Sequence, residues 1–166
     1  MEEKLKPTAS STDGQIWIID LRSQQKIAVQ FVPDELNVSR TVSIANINNV
    51  GKNNAGHHFT GGSKELSFKI DILADDEEGK TAKMRAKWLE SLTYQDEATG
   101  KYPNVLLIWG TQYKNATWIV SKISFREKLF IPGKNFLPQM IEASITLLQD
   151  NAKNELVENV RGDLAW

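Results

Sequence analysis

The chain of 166 residues has no cysteine, two histidines and five prolines, and each shortage removes a class of protein. Without cysteine there are no disulfide staples, no thiolate zinc sites and no cysteine nucleophile, which fits a protein made without oxidative folding. With only His57 and His58, adjacent and pointing different ways in extended backbone, a histidine metal site lacks its third ligand and a catalytic histidine lacks a carboxylate at recognisable spacing. No run approaches the roughly 18 consecutive apolar residues of a membrane span. The first fourteen residues, MEEKLKPTASSTDG, lack the apolar centre of a secretory signal, so synthesis in the cytoplasm is expected. Charge of one sign is missing too: 20 basic residues balance 21 acidic ones, and no bulk field favours nucleic acid or an anionic membrane.

What is present is β-forming sequence. One domain is expected over residues 15–150, between a flexible arm at 1–14 and a tail at 151–166. QIWIIDL and KIAVQFV read as a hairpin through the polar residues 22–25, and NVSRTVSIANI reads as a further extended segment through Val38, Val42 and Ile44. Residues 48–63 hold four glycines and four asparagines and predict an exposed loop. ELSFKIDIL then alternates strictly, Leu66, Phe68, Ile70 and Ile72 against Glu65, Ser67, Lys69 and Asp71, which predicts one dry and one wet face.

The one convincing helix runs over about residues 81–92, with Met84, Trp88 and Leu92 as its apolar stripe and Leu89 widening it. The acids at 75–78 fall where the helix dipole favours negative charge; calcium is the other use for four carboxylates, and EF-hand spacing is absent. Three long strands follow from Pro103 to Gln149. VLLIW is apolar throughout, as expected of a strand covered on both faces. In TWIVSKISFREKLF, Ile119, Ile123 and Phe125 alternate with Val120, Lys122 and Ser124. In MIEASITLLQ, Ile141, Ala143, Ile145 and Leu147 mark the apolar face, and Pro132-Gly133 supplies the turn before it. The tail predicts a short helix through Leu156, Val157 and Val160, with Trp166 docking on its own subunit or on a neighbour.

Catalytic motifs are missing: no GxSxG elbow, no Walker loop, no GxGxxG after a strand, and no basis for pairing Asp71 with Glu142 as acid and base. No catalytic, cofactor-binding or metal-binding residue is assigned, and no cofactor is expected. The five tryptophans suggest a stacking platform for sugars or bases, but Trp17, Trp88 and Trp109 lie in apolar stretches that read as core.

Several segments, taken in order, resemble the tube initiator and baseplate-hub adaptor proteins of contractile phage tails and related injection systems. They are FVPDEL at 31–36, HHFTGG at 57–62 leading into ELSFKIDIL, KWLESLTY at 87–94, PNVLLIWG at 103–110, the strand at 118–130 and LPQMIEASITLLQ at 137–149. The resemblance implies a mainly β fold with one flanking α-helix, a tail-tube-like barrel or sandwich of antiparallel strands. It implies a structural protein, not an enzyme: a hexameric ring at the junction of baseplate hub and tail tube that templates tube assembly. Tube and hub or spike proteins are its implied partners, with DNA or a payload passing through the bore without specific binding and no membrane involved. The implied location is a virion tail or baseplate, or an injection particle assembled in the cytoplasm. Many relatives carry a C-terminal LysM-type domain, which is expected to be missing from a chain that stops at Trp166. His57, His58, Phe59, Trp118 and Trp166 are the candidate inter-subunit contacts. A tail terminator or tube subunit of the same machine is the near alternative, and a monomeric β-sandwich that binds a small ligand through exposed tryptophans is the distant one.

Overall fold

A computed structural model describes residues 15–47, 56–110, 112–113, 116–133 and 135–149. The arm at 1–14 and the tail at 151–166 lie outside these residues. Seven strands and one helix follow in chain order: β1 (Ile16–Asp20), β2 (Lys26–Ala28), β3 (Leu36–Ile47), β4 (Gly56–Leu73), α1 (Lys80–Ser91), β5 (Val105–Trp109), β6 (Thr117–Phe130) and β7 (Pro138–Gln149). They form one antiparallel sheet in the order β2-β1-β5-β6-β7-β4-β3. Among the described residues the protein is mainly β with a single flanking helix, as the patterning predicts.

The sheet is curled. Phe68 on β4 and Trp109 on β5 lie three strand steps apart in the sheet, which would be about 14 Å if it were flat. Their rings nonetheless meet edge to face with centroids 5.6 Å apart. The bend falls at β5–β6, where only Val105↔Trp118 and Leu106↔Thr117 pair. Curling brings Ile16 and Ile18 of β1, Val105 and Leu107 of β5, and Leu66 to Ile72 of β4 into one dry cluster, as in a barrel-like sandwich.

The predicted alternation holds in β4, where Leu66, Phe68, Ile70 and Ile72 are all buried, and in β7, where Ile141, Ala143, Ile145 and Leu147 are buried. β6 differs. Its register shifts between Val120 and Lys122, so Ser121 is an extra residue, and its hydroxyl donates to the Thr146 carbonyl at 3.2 Å. Such a bulge reverses which parity faces inward. Trp118 and Val120 therefore point into the core before it, while Ile123 and Phe125 pack against the core after it. Ile119 does not share their face. β5 is likewise less enclosed than its composition suggests: Val105 and Leu107 are fully buried, but Leu106 and Ile108 only half so.

α1 packs on β7, β4 and β6. Its buried face is Ala82, Ala86 and Leu89, continued by Leu92, while Met84 is 67% exposed. The helix thus turns its small alanines to the sheet and Met84 to solvent. Trp88 is half-buried and its indole N–H donates to Gln25 Oε1 at 2.9 Å, tying the helix to the β1–β2 turn.

In the acidic lead-in, Asp75 pairs with Arg85 and Glu78 with Lys80, and Asp76 meets the first helical N–H groups. Asp76 accepts from the Lys80 N–H (3.1 Å), the Thr81 N–H (3.0 Å) and the Thr81 hydroxyl (2.6 Å). The Thr81 bonds come first among the causes that lower its pKa from 3.8 to about 2. Gly79 enters the helix at φ 74°, where a Cβ would lie 2.8 Å from the Pro138 carbonyl oxygen, so glycine is required twice over.

Candidate assembly surface

The pairing of β4 with β7 ends at Glu65↔Leu148, yet β4 begins nine residues earlier, at Gly56. Over that length its strand partner among the described residues is β3, which forms one margin of the sheet. The two strands therefore continue past the body as a ribbon, about 25–30 Å long at the usual strand rise. This corrects the glycine-rich loop expected over 48–63: residues 56–63 are strand, and 48–55 lie outside the described residues. The glycines serve the ribbon itself. The register shifts by one between Ser43 and Ile44, and Gly61 sits at that shift with φ 125°.

The ribbon has an apolar stripe on the face that continues the core. Val38 stands opposite Leu66, so both point to the same side. Leu66 is fully buried but Val38 is 51% exposed, Val42 48% and Ile44 55%. Between them Arg40 stands opposite Lys64, like charges directly across the ladder. Lys64 lies 5.4 Å over the Tyr113 ring, and neither cation has a carboxylate within ion-pair distance among the described residues.

The reverse face of the sheet is wet. Arg126, Glu142 and Asp71 stand side by side across β6, β7 and β4. Lys128 donates to Glu142 at 2.9 Å, and this bond, followed by its Coulombic attraction and those of Lys69 and Arg126, lowers the Glu142 pKa. Register thus brings Asp71 and Glu142 together, but Glu142 is held as a charged acceptor, the opposite of the raised pKa that a general acid needs. The β6–β7 turn ends in a second apolar feature, with Leu129, Phe130 and Phe136 exposed.

Of the candidate contact residues, His57, His58 and Phe59 fall on β4 within the ribbon, opposite Asn46, Ala45 and Ile44. Trp118 is 0% exposed and meets Tyr113 edge to face at 5.9 Å, so its indole is held by its own chain. It is a core residue, because the bulge at Ser121 turns it inward. Trp166 lies outside the described residues. The exposure of Val38, Val42 and Ile44 was missed by sequence reasoning, although their alternation was visible; nothing in a strand's own pattern says whether anything covers it.

No protein-family model matches the chain, and no curated protein matches it. Three solved structures contain chains with a similar path. A chain from the tail of an empty GTA particle with C6 symmetry has 11% identity and a TM-score of 0.45 over 89% of this chain and 99% of that one. A chain from the virion of a native gene transfer agent particle has 9% identity and a TM-score of 0.42 over 86% and 95%. A chain from the six-fold symmetrised baseplate of the anti-feeding prophage has 12% identity and a TM-score of 0.41 over 89% and 95%. At these values the role of the chain is left to be argued from its own surface.

Proposed function

We propose that the protein is a structural subunit of a contractile tail or injection particle, assembling as a hexameric ring where the baseplate hub meets the tail tube and templating the first tube ring. The observation that carries this reading is the ribbon. A two-stranded extension with exposed valine and isoleucine is marginal by itself in water. An exposed apolar strand at a sheet margin is a pairing site for another chain, and a monomer ordinarily blunts it. In a closed ring each subunit's margin meets the next, which removes the exposed strand from water in every copy. The wet face formed by Arg126, Glu142 and Asp71 then suits an aqueous bore. The ordered sequence resemblance supports the same reading and supplies the hub-to-tube position. A tube subunit or terminator would use the same surfaces at another place in the particle.

Light scattering and negative-stain microscopy of the full chain, alone and with tube and hub proteins, test this. Open rings of six are the expected result. Val42→Lys should abolish them while leaving the circular dichroism of the subunit unchanged. A wild-type chain that stays monomeric with every tube and hub protein would overturn the reading. The ligand-binding alternative is weakened by the burial of Trp118, whose replacement would disturb folding rather than an exposed platform.

A further inference from the structure

The apolar stripe of the ribbon and the segment that follows β7 are matched in place, reach and charge. β7 ends beside the root of the ribbon: Leu148 pairs with Glu65, and Glu65 pairs with Ser39, so the end of β7 lies about 10 Å from β3, two strand spacings away. Because β7 and β4 are antiparallel, the chain leaves Gln149 in the direction in which β3 runs from Arg40 to Ile44. From Asp150 to Trp166 there are 17 residues. Even at a helical rise these span about 25 Å, more than the roughly 14 Å from Arg40 to Ile44.

Composition agrees. Leu156, Val157, Val160, Leu164 and Trp166 give the segment apolar weight, and its four carboxylates (Asp150, Glu155, Glu158 and Asp163) outnumber its two cations (Lys153 and Arg161). The stripe offers Val38, Val42 and Ile44 around the Arg40–Lys64 pair, two like charges stacked across a ladder without a carboxylate partner among the described residues. The N-terminal arm fits worse. Met1 and Leu5 are its only large apolar residues, and its three carboxylates are nearly balanced by two lysines. We infer that residues 150–166 fold back onto the ribbon of their own chain, with Trp166 and the neighbouring aliphatic residues covering Val38, Val42 and Ile44 and their carboxylates answering Arg40 and Lys64. This stands on the ribbon and the segment alone and does not require the ring.

The absence of cysteine makes the test clean. In the full-length chain, Val42→Cys combined with Ala165→Cys is oxidised at low protein concentration, and the rate of disulfide formation within one chain is read on non-reducing gels. The control pairs Ala165→Cys with Tyr94→Cys, at a residue 61% exposed just beyond α1. Docking predicts at least about tenfold faster closure for the Val42 pair, from the higher effective concentration of the held segment. Adding Arg40→Glu to that pair should slow closure several-fold. Equal rates for the two pairs overturn the inference. Crosslinks that form only between chains also overturn it and assign the stripe to a second copy.

Discussion

Leu66 and Val38 stand opposite each other on paired strands, on the same side of the sheet, and differ in everything that follows from burial. Leu66 is covered by the curled body of the sheet, while Val38 is half in water because β3 is the margin of the sheet. The two strands carry the same kind of alternation in both regions. In the body, the alternation is closed by β1, β5 and α1 into one cluster; along the margin and ribbon it presents an apolar stripe with two cations that have no carboxylate partner among the described residues. The contrast shows that period two marks which side a residue faces, and that only the path of other elements decides whether that side is dry.

The sharpest way to break the contrast is to damage the body alone. Deleting Ser121 removes the bulge, so Trp118 and Val120 or Ile123 and Phe125 must face the wrong way, and a loss above about 4 kcal/mol in urea unfolding is expected. Leu66→Ala should cost about 2–5 kcal/mol by the same measurement. Gly79→Ala forces a Cβ against the Pro138 carbonyl at an unfavourable φ and should cost about 1–3 kcal/mol, read as a lowered melting temperature.

A smaller effect lies in pH. The folded pKa of Asp76 is about 2, below its ordinary 3.8, so its contribution is fully present above the ordinary value and is lost as pH falls from 3.8 towards 2. Asp76→Asn should flatten the melting temperature across that window. Smallest of all is Val38→Ala, expected to cost the subunit about 1 kcal/mol, because Val38 belongs to the stripe that residues 150–166 are inferred to cover, as read by urea unfolding.

Much of this fold was legible because its strands are long and one face of each is dry. Ile70 and Ile72, or Ala143 and Ile145, declare a face at every second residue. The helix was legible in extent but not in rotation, since Ala82 and Ala86 count little in a hydrophobic pattern while Met84 counts much, and it is the alanines that are buried. The ribbon was hidden for a different reason. Glycine and asparagine at 48–62 carry the composition of a loop, whereas a bulged two-stranded extension also uses glycine, as Gly61 does at φ 125°. Of the candidate contact residues, His57, His58 and Phe59 fall on the ribbon, and the burial of Trp118 was hidden because a single inserted serine cannot be seen in the alternation that surrounds it.

The amino-acid sequence by itself determined an antiparallel, mainly β chain with one helix, the inward faces of β4 and β7, and the lack of any recognised catalytic motif, because period, turn residues and side-chain chemistry are local properties. Tertiary structure decided the curl that joins Phe68 to Trp109, the inward turn of Trp118, and the length over which β3 and β4 outrun the sheet. Those depend on where strands end relative to their neighbours, a distance set by packing between segments far apart in the chain.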